Sequence, residues 1–414
     1  MQMTIKNFKN NLQKYAELII KVGVNIQINQ IAVLYISVNQ QEFAHLLVKE
    51  AYKAGASEVI VKWNDTFIQR EFLENTTDNR LTNIPNYLGA EADYIVDNKA
   101  ARISVISEDP SAYAGVNSNK IAAYQKAMGE KLQRVRQATQ NNDLSWTVVA
   151  AADTAWAKAV FPNLSDTAAT ERLWEEIFKT TRINQKDPVK AWQQHDYNLH
   201  NKAAWLNEQQ FTALHYLSPI TDLTIGLPKN HHWEGASSLN TQGISFMANM
   251  PSEEVFSAAD TTRINGYVSS TKPLSYGGKI IEKIKLIFKD GQVINAEAAH
   301  GLDSLQHLLE TDEGARSLGE VALVPDASPI SQSGITFFNT LFDENASNHL
   351  ALGSAYPFSV IGGTKMSTTE LKEAHLNISQ THVDFMVGSP DMNIDGIRSD
   401  GTRVPVFRNG NWAE

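Results

Sequence analysis

The apolar positions Ile5, Phe8, Leu12, Tyr15, Leu18 and Ile19 recur at helical spacing between Lys and Asn, which predicts an amphipathic first helix. The period then changes. Ile31–Ser37 (IAVLYIS) is an apolar run of strand length. Gln40–Ala56 returns to helical spacing through Phe43, Leu46, Leu47, Ala51 and Tyr52 and stops at Gly55, and Glu58–Trp63 (EVIVKW) is again β-rich. A strand, a helix of about 15 residues and a strand predict a parallel pair joined by a right-handed crossover. Ala101–Ile106 (ARISVI) and Ser145–Ala151 (SWTVVAA) read as further strands, with a long amphipathic helix over Lys120–Asn141 between them. The expectation for this part is a Rossmann-like open α/β sheet covered by helices. A dinucleotide fold carries a Gly-rich turn after its first strand, but here VNQQEF follows Ser37. A structural or substrate-channelling role is therefore favoured over a cofactor role.

Residues 164–211 read as helical, with Trp174, Trp192 and Trp205 expected to pack rather than to cage a ligand. From about Thr221 short β-rich stretches (DLTIGLP, ISFMANMP, INGYVSSTKP, KIKLIFKDGQVINAEA, THVDFMVGSP) alternate with Gly, Asn and Pro turns. Lys289-Asp290-Gly291 is the signal of a hairpin. The domain division expected is 1–215, an N-terminal α/β domain with a helical extension, and 216–414, a β-rich α+β catalytic domain that binds metal.

Composition narrows the chemistry. The chain has 414 residues, 42% hydrophobic and 20% charged, enough for more than one core. A net charge of -10 without a Lys/Arg block argues against a nucleic-acid partner. With no cysteine, disulfides, thiolate metal sites and a cysteine nucleophile are excluded, so a metal would rely on oxygen and imidazole ligands. The N-terminal stretch lacks the continuous apolar core of a signal peptide, and no stretch reaches the length of a membrane helix. A cytoplasmic protein without membrane contact is expected.

The suggestive constellations lie almost wholly after residue 250. In Asn249-Met250-Pro251-Ser252-Glu253-Glu254 a strand ends at proline before adjacent carboxylates, where solvated charge is the plain alternative. Glu320 leads into the apolar run Val321-Ala322-Leu323-Val324, and a carboxylate beside a buried strand needs a partner or a metal; Arg316 is the plain partner. The stretch from Asn339 to Tyr356 gathers Asp343, Glu344, His349 and Tyr356. His382 and Asp384 flank Val383 on an alternating run, so both side chains point to one face of a strand. Together Glu254, Glu320, Glu344, His349, His382 and Asp384 form a carboxylate–imidazole set suited to two divalent ions such as Zn, Co, Mn or Mg.

The strings NMPSEEVF, TKPLSYGG, LETDEGARSLGEVALVP, FFNTLFDENASNHLALGSAYP and HVDFMVGSPDMNIDG resemble the M29 aminopeptidases, the aminopeptidase T group. The likeness extends along the whole chain, with its specific motifs between 249 and 396. It implies release of N-terminal amino acids from peptides with a free N-terminus, two divalent metals per subunit, and a homodimer enclosing the catalytic chamber. It carries over Glu254, Glu320, His349, His382 and Asp384 as metal ligands, with Glu344 at a sixth position and Tyr356 beside the metals. Glu320 is the expected bridge. By analogy with unrelated two-metal aminopeptidases, Glu253 is the expected general base. Tyr356 is the expected donor to the tetrahedral oxyanion, against a packed tyrosine. The rival readings are a metal-dependent phosphoesterase, disfavoured by the scarcity of basic residues in the motif region, and a non-catalytic metal- or peptide-binding protein.

Overall fold

The computed structural model describes residues 7–107 and 109–413; Ile5, part of the apolar face assigned to the first helix, lies outside them. The chain forms two compact units. The first runs up to Tyr197 and takes in Ala236–Ser252, and the second comprises Asn198–Gly235 and the chain from Glu253 onward. The sequence border drawn at 215/216 falls within the second unit.

In the first unit, β1 (Ile31–Ser37), β2 (Glu58–Asn64), β3 (Ala101–Ile106) and β4 (Trp146–Ala150) form a parallel sheet in the order β2-β1-β3-β4. The helix Gln41–Ala54 connects β1 to β2 and buries Phe43, Leu47 and Ala51 of the expected apolar face together with Ala44, while Leu46 is half-buried and Tyr52, expected on that face, is exposed. The helix expected over Lys120–Asn141 is instead two, Ser118–Lys131 and Gln133–Gln140, because Leu132 leaves helical geometry at φ -100, ψ 15. Three helices between β2 and β3 (Thr66–Asn75, Asp78–Thr82 and Asn86–Asp97) were not foreshadowed by periodicity. The first two bury only Leu73 and Leu81, which is too little apolar patterning to detect. Their legible trace is in their caps: the Asp65 carboxylate accepts from the Phe67 and Ile68 N–H groups, and the Thr77 hydroxyl from Arg80 N–H. Trp174 packs edge-on against Phe8 and Phe43, and buried Trp192 donates to the Thr181 carbonyl at 2.8 Å. Both serve packing.

The second unit is built on antiparallel sheets. One has eight strands, in the order Gln292–Glu297, Lys285–Lys289, Ile264–Ser269, Thr221–Gly226, Ala213–Ser218, Asn393–Ile397, Arg403–Arg408 and Asn411–Trp412. Its predicted hairpin is present: Lys289 pairs with Gln292 across Asp290 and Gly291, both at positive φ (47° and 87°) as a tight two-residue turn requires. The other sheet has five strands, β5 (Glu234–Gly235), β6 (Val255–Ala258), β7 (Leu318–Leu323), β8 (His349–Gly353) and β9 (His382–Met386), each paired with the next. Every residue of β7 and β8 is buried, so polar side chains there must find partners inside the protein. Among the described residues, no helix is long and apolar enough to cross a membrane.

Candidate metal centre

Directly opposed residues on antiparallel strands share a face, so the register of the five-stranded sheet states which side chains meet. Ala258 opposes Glu320, Glu320 opposes Ala351, and Ala351 opposes Asp384. His349 opposes Ala322 on one side and Met386 on the other, and His382 opposes Gly353. Glu320, His349, His382 and Asp384 therefore project from three strands onto one face.

That outcome depends on an irregularity the sequence does not announce. Leu318 pairs with Leu352, whereas Glu320 pairs with Ala351, so Gly319 is an extra residue in β7. Without the bulge, strict alternation from Leu318 would turn Glu320 to the opposite face. Glycine is required at the bulge because a Cβ there would run into the Gly353 carbonyl and the Ser354 backbone. Bulges beside functional sites commonly re-aim a side chain in this way.

The clustered atoms fall into two groups, Glu254–Glu320–His349 and Glu320–His382–Asp384, in each of which the possible ligand atoms lie within 4.8 Å of one another. Glu320 belongs to both. Its Oε1 lies 3.6 Å from His349 Nε2 and its Oε2 3.6 Å from His382 Nε2. His349 Nε2 also lies 3.0 Å from Glu254 Oε2, and His382 Nε2 lies 3.4 Å from Asp384 Oδ1. The backbone orients both imidazoles. His349 Nδ1 faces the carbonyls of Glu344 (2.9 Å) and Ser347 (3.2 Å), and His382 Nδ1 faces that of Ser354 (2.7 Å). Carbonyls only accept, so each Nδ1 carries the hydrogen and each Nε2 is left for the centre, the usual support for a metal-binding histidine. Arg316, the alternative partner for Glu320, is exposed.

Electrostatics without a cation show how this cluster is strained. Burial pushes Glu320 up, pairing with His349 opposes this, and neighbouring Asp384 and Glu254 add to the rise. Burial, then Asp384 and Glu254, hold Glu344 well above the usual carboxylate range. Burial disfavours a charged His349, yet the Glu254 and Glu320 carboxylates outweigh it and raise its pKa well above normal. His382 goes the same way, up to about 10, against its burial and because of Asp384 and Glu320. Burial would lift Asp384, but the His382 imidazole beside it holds it below its usual value.

The remaining predicted residues are placed as follows. Glu344 is buried on the short turn Glu344–Ala346 but belongs to neither ligand group among the described residues; Asn345 Nδ2 donates to its Oε1 at 3.4 Å. Glu253 is buried and its backbone N–H donates to Asn345 Oδ1 at 2.7 Å. Sequence reasoning missed Asn345, a fully buried amide that ties the Glu253–Glu254 segment to the turn bearing Glu344; its one hint is its place beside Glu344. Tyr356 stacks on Phe358 and its ring centroid is 5.0 Å from that of His382. Without a cation, burial, then the Glu320 and Asp384 charges, push its hydroxyl pKa well above normal, so the hydroxyl keeps its hydrogen.

Do these residues fit a divalent cation? Glu320 Oε2 and Asp384 Oδ1 are buried and without a hydrogen-bond partner among the described residues, a costly state that a cation would relieve. The donors are hard oxygens and imidazole nitrogens, the set that divalent ions accept, and the fit is good.

Comparison with known proteins identifies the family of the chain. Residues 8–412 match the family described as Thermophilic metalloprotease (M29). The chain is 56% identical to Aminopeptidase PepS of Streptococcus thermophilus, over 99% of this chain and 100% of that one. It is 52% identical to Aminopeptidase AmpS of Bacillus subtilis (strain 168), over 98% and 99%. The solved structure of wild-type AmpT from Thermus thermophilus superposes with a TM-score of 0.90 at 39% identity, covering 98% of this chain and 100% of that chain. On sequence and structure alike, the chain belongs to the M29 family of thermophilic metalloproteases.

Proposed function

We propose that this protein is a metallo-aminopeptidase that hydrolyses the first peptide bond of peptides with a free N-terminus, using two divalent cations that share Glu320. The observation that carries the reading is the position of Glu320 in both ligand groups, one oxygen toward each imidazole. Glu254 and His349 would hold one cation, and His382 and Asp384 the other. Such cations supply Lewis acidity, polarising the scissile carbonyl and making water nucleophilic near neutral pH.

The chain's own residues do the rest. The Nδ1 hydrogen bonds of His349 and His382 fix each imidazole in the tautomer that leaves Nε2 available. Buried carboxylates on one face attract a peptide's ammonium terminus and give nothing to a neutral acetylated one. Tyr356 donates its hydroxyl hydrogen to the oxyanion of the tetrahedral state, held in place by its stacking on Phe358. Glu253 takes the proton of the attacking water and returns it to the leaving amine. Glu344 is a second candidate for that proton transfer, because it is buried beside the cluster yet lies outside both ligand groups. Glu253→Gln and Glu344→Gln distinguish them: the proton carrier is the one whose loss lowers kcat while bound metal is retained.

The test is cleavage of Leu- and Arg-amides with and without Co or Zn, beside their N-acetylated counterparts. Cleavage abolished by chelator, restored by metal and absent on the acetylated substrates is expected. Equal cleavage of free and acetylated substrates would end the exopeptidase reading.

A further inference from the structure

One row across the five-stranded sheet reads Ala258, Glu320, Ala351, Asp384. Ala351 is thus the direct neighbour of Glu320 on one side and of Asp384 on the other, with Cβ atoms about 5 Å apart in such pairs. Those two acids carry the buried oxygens of the site that lack a hydrogen bond, Glu320 Oε2 and Asp384 Oδ1, in residues only 5% and 8% exposed. Ala351 itself is fully buried. The row beside it pairs Ala322 with His349, below the other ligand group.

We propose that Ala351 is the steric determinant of the cation position formed by Glu320, His382 and Asp384. A single methyl between two acid-bearing strands leaves the volume a cation takes, and a bulkier side chain closes it. The inference rests on the two-cation reading above and adds to it a directional consequence. Filling position 351 removes the cation between Glu320 and Asp384 and spares the one held by Glu254, Glu320 and His349, of which only Glu320 stands in that row. An alanine chosen only for core packing would lack that selectivity, because overpacking a strand disturbs both positions together.

The experiment titrates metal-free protein with Mn2+, counting bound ions per chain and recording the electron paramagnetic resonance spectrum. The variants are Ala351→Gly, Ala351→Cys and Ala351→Val. Thiols are poor manganese ligands, so the cysteine adds bulk by one heavy atom and little coordination. Wild type and Ala351→Gly are expected to take two ions and show spin coupling between them. Ala351→Val is expected to take one, with the uncoupled spectrum of a single ion and an unchanged first binding step that also reports a folded protein. Ala351→Cys keeps the test alive if the valine variant does not fold, with its second affinity lowered by about tenfold or more. Two ions bound with wild-type affinity in a folded Val or Cys variant would overturn the inference alone, as would an equal loss in Ala351→Gly. Fewer than two ions in the wild type would overturn the two-cation reading, and this inference with it.

Discussion

Loading the site with cations must expel protons. Without a cation His382 is held up to about 10 and His349 well above its usual value, so both imidazoles are protonated at pH 7. Their Nδ1 hydrogens are engaged by the Ser354 and Glu344 carbonyls, so the proton that leaves is the one on Nε2. Holding His382 neutral at pH 7 against a pKa of about 10 costs about 4 kcal/mol, roughly a thousandfold in apparent affinity. Raising the pH returns about tenfold per unit for each imidazole displaced. Calorimetric titration with Mn2+ in buffers of differing ionisation enthalpy measures the protons released, expected at about two per saturated chain at pH 7. In chelator the raised His382 pKa has the opposite effect. Its charged form stabilises the fold fully below pH 6.5, and that contribution is lost as pH rises through about 10. Melting temperature in chelator should therefore fall across that window, while cation affinity rises. Binding that releases no protons, with affinity constant from pH 7 to 9, would refute the placement of both Nε2 atoms at the centre.

Three substitutions probe the remaining parts. Glu320→Gln weakens the ligand common to both groups, and bound metal should fall by more than the ~10–100-fold that loss of an outer-shell partner costs; metal content per chain measures it. Tyr356→Phe keeps the stacking on Phe358 and removes the hydroxyl, so kcat should drop by about 100-fold or more with KM little changed. Gly319→Ala forces a methyl against the Gly353 carbonyl, and a loss of roughly 1–3 kcal/mol in denaturant unfolding is expected together with weakened metal binding. Unchanged stability there would show that the strand relaxes without it.

Much of this arrangement could be read along the chain, for identifiable reasons. The β1–helix–β2 unit is visible because the apolar period switches from 2 to 3.6 and back within residues 31–64. The shared face of His382 and Asp384 follows from strand alternation alone, and the structure places both on β9. The face of Glu320 did not follow from alternation. It depends on a register shift that exists only once β7 meets β8, and a lone Gly319 in sequence is equally a packing glycine. The break at Leu132 and the short helices between β2 and β3 escaped because their helical faces bury few residues. Ala351 carries no signal of its own and Asn345 only its place beside Glu344; their surroundings are defined by what lies across the sheet or beside the turn.

The extra residue at Gly319 makes the register of β7, beyond residue identity, a condition for chemistry. If Gly319 instead took a regular place in the ladder opposite Ala351, every acid and imidazole would be present and β7 would still pair, but Glu320 would oppose Leu350 and the facings of Glu320 and Val321 would swap. A valine would then point at the histidines and a carboxylate into apolar packing. Chains of this architecture can thus fall silent through a one-position slip of β7 that a tally of motif residues would pass as intact.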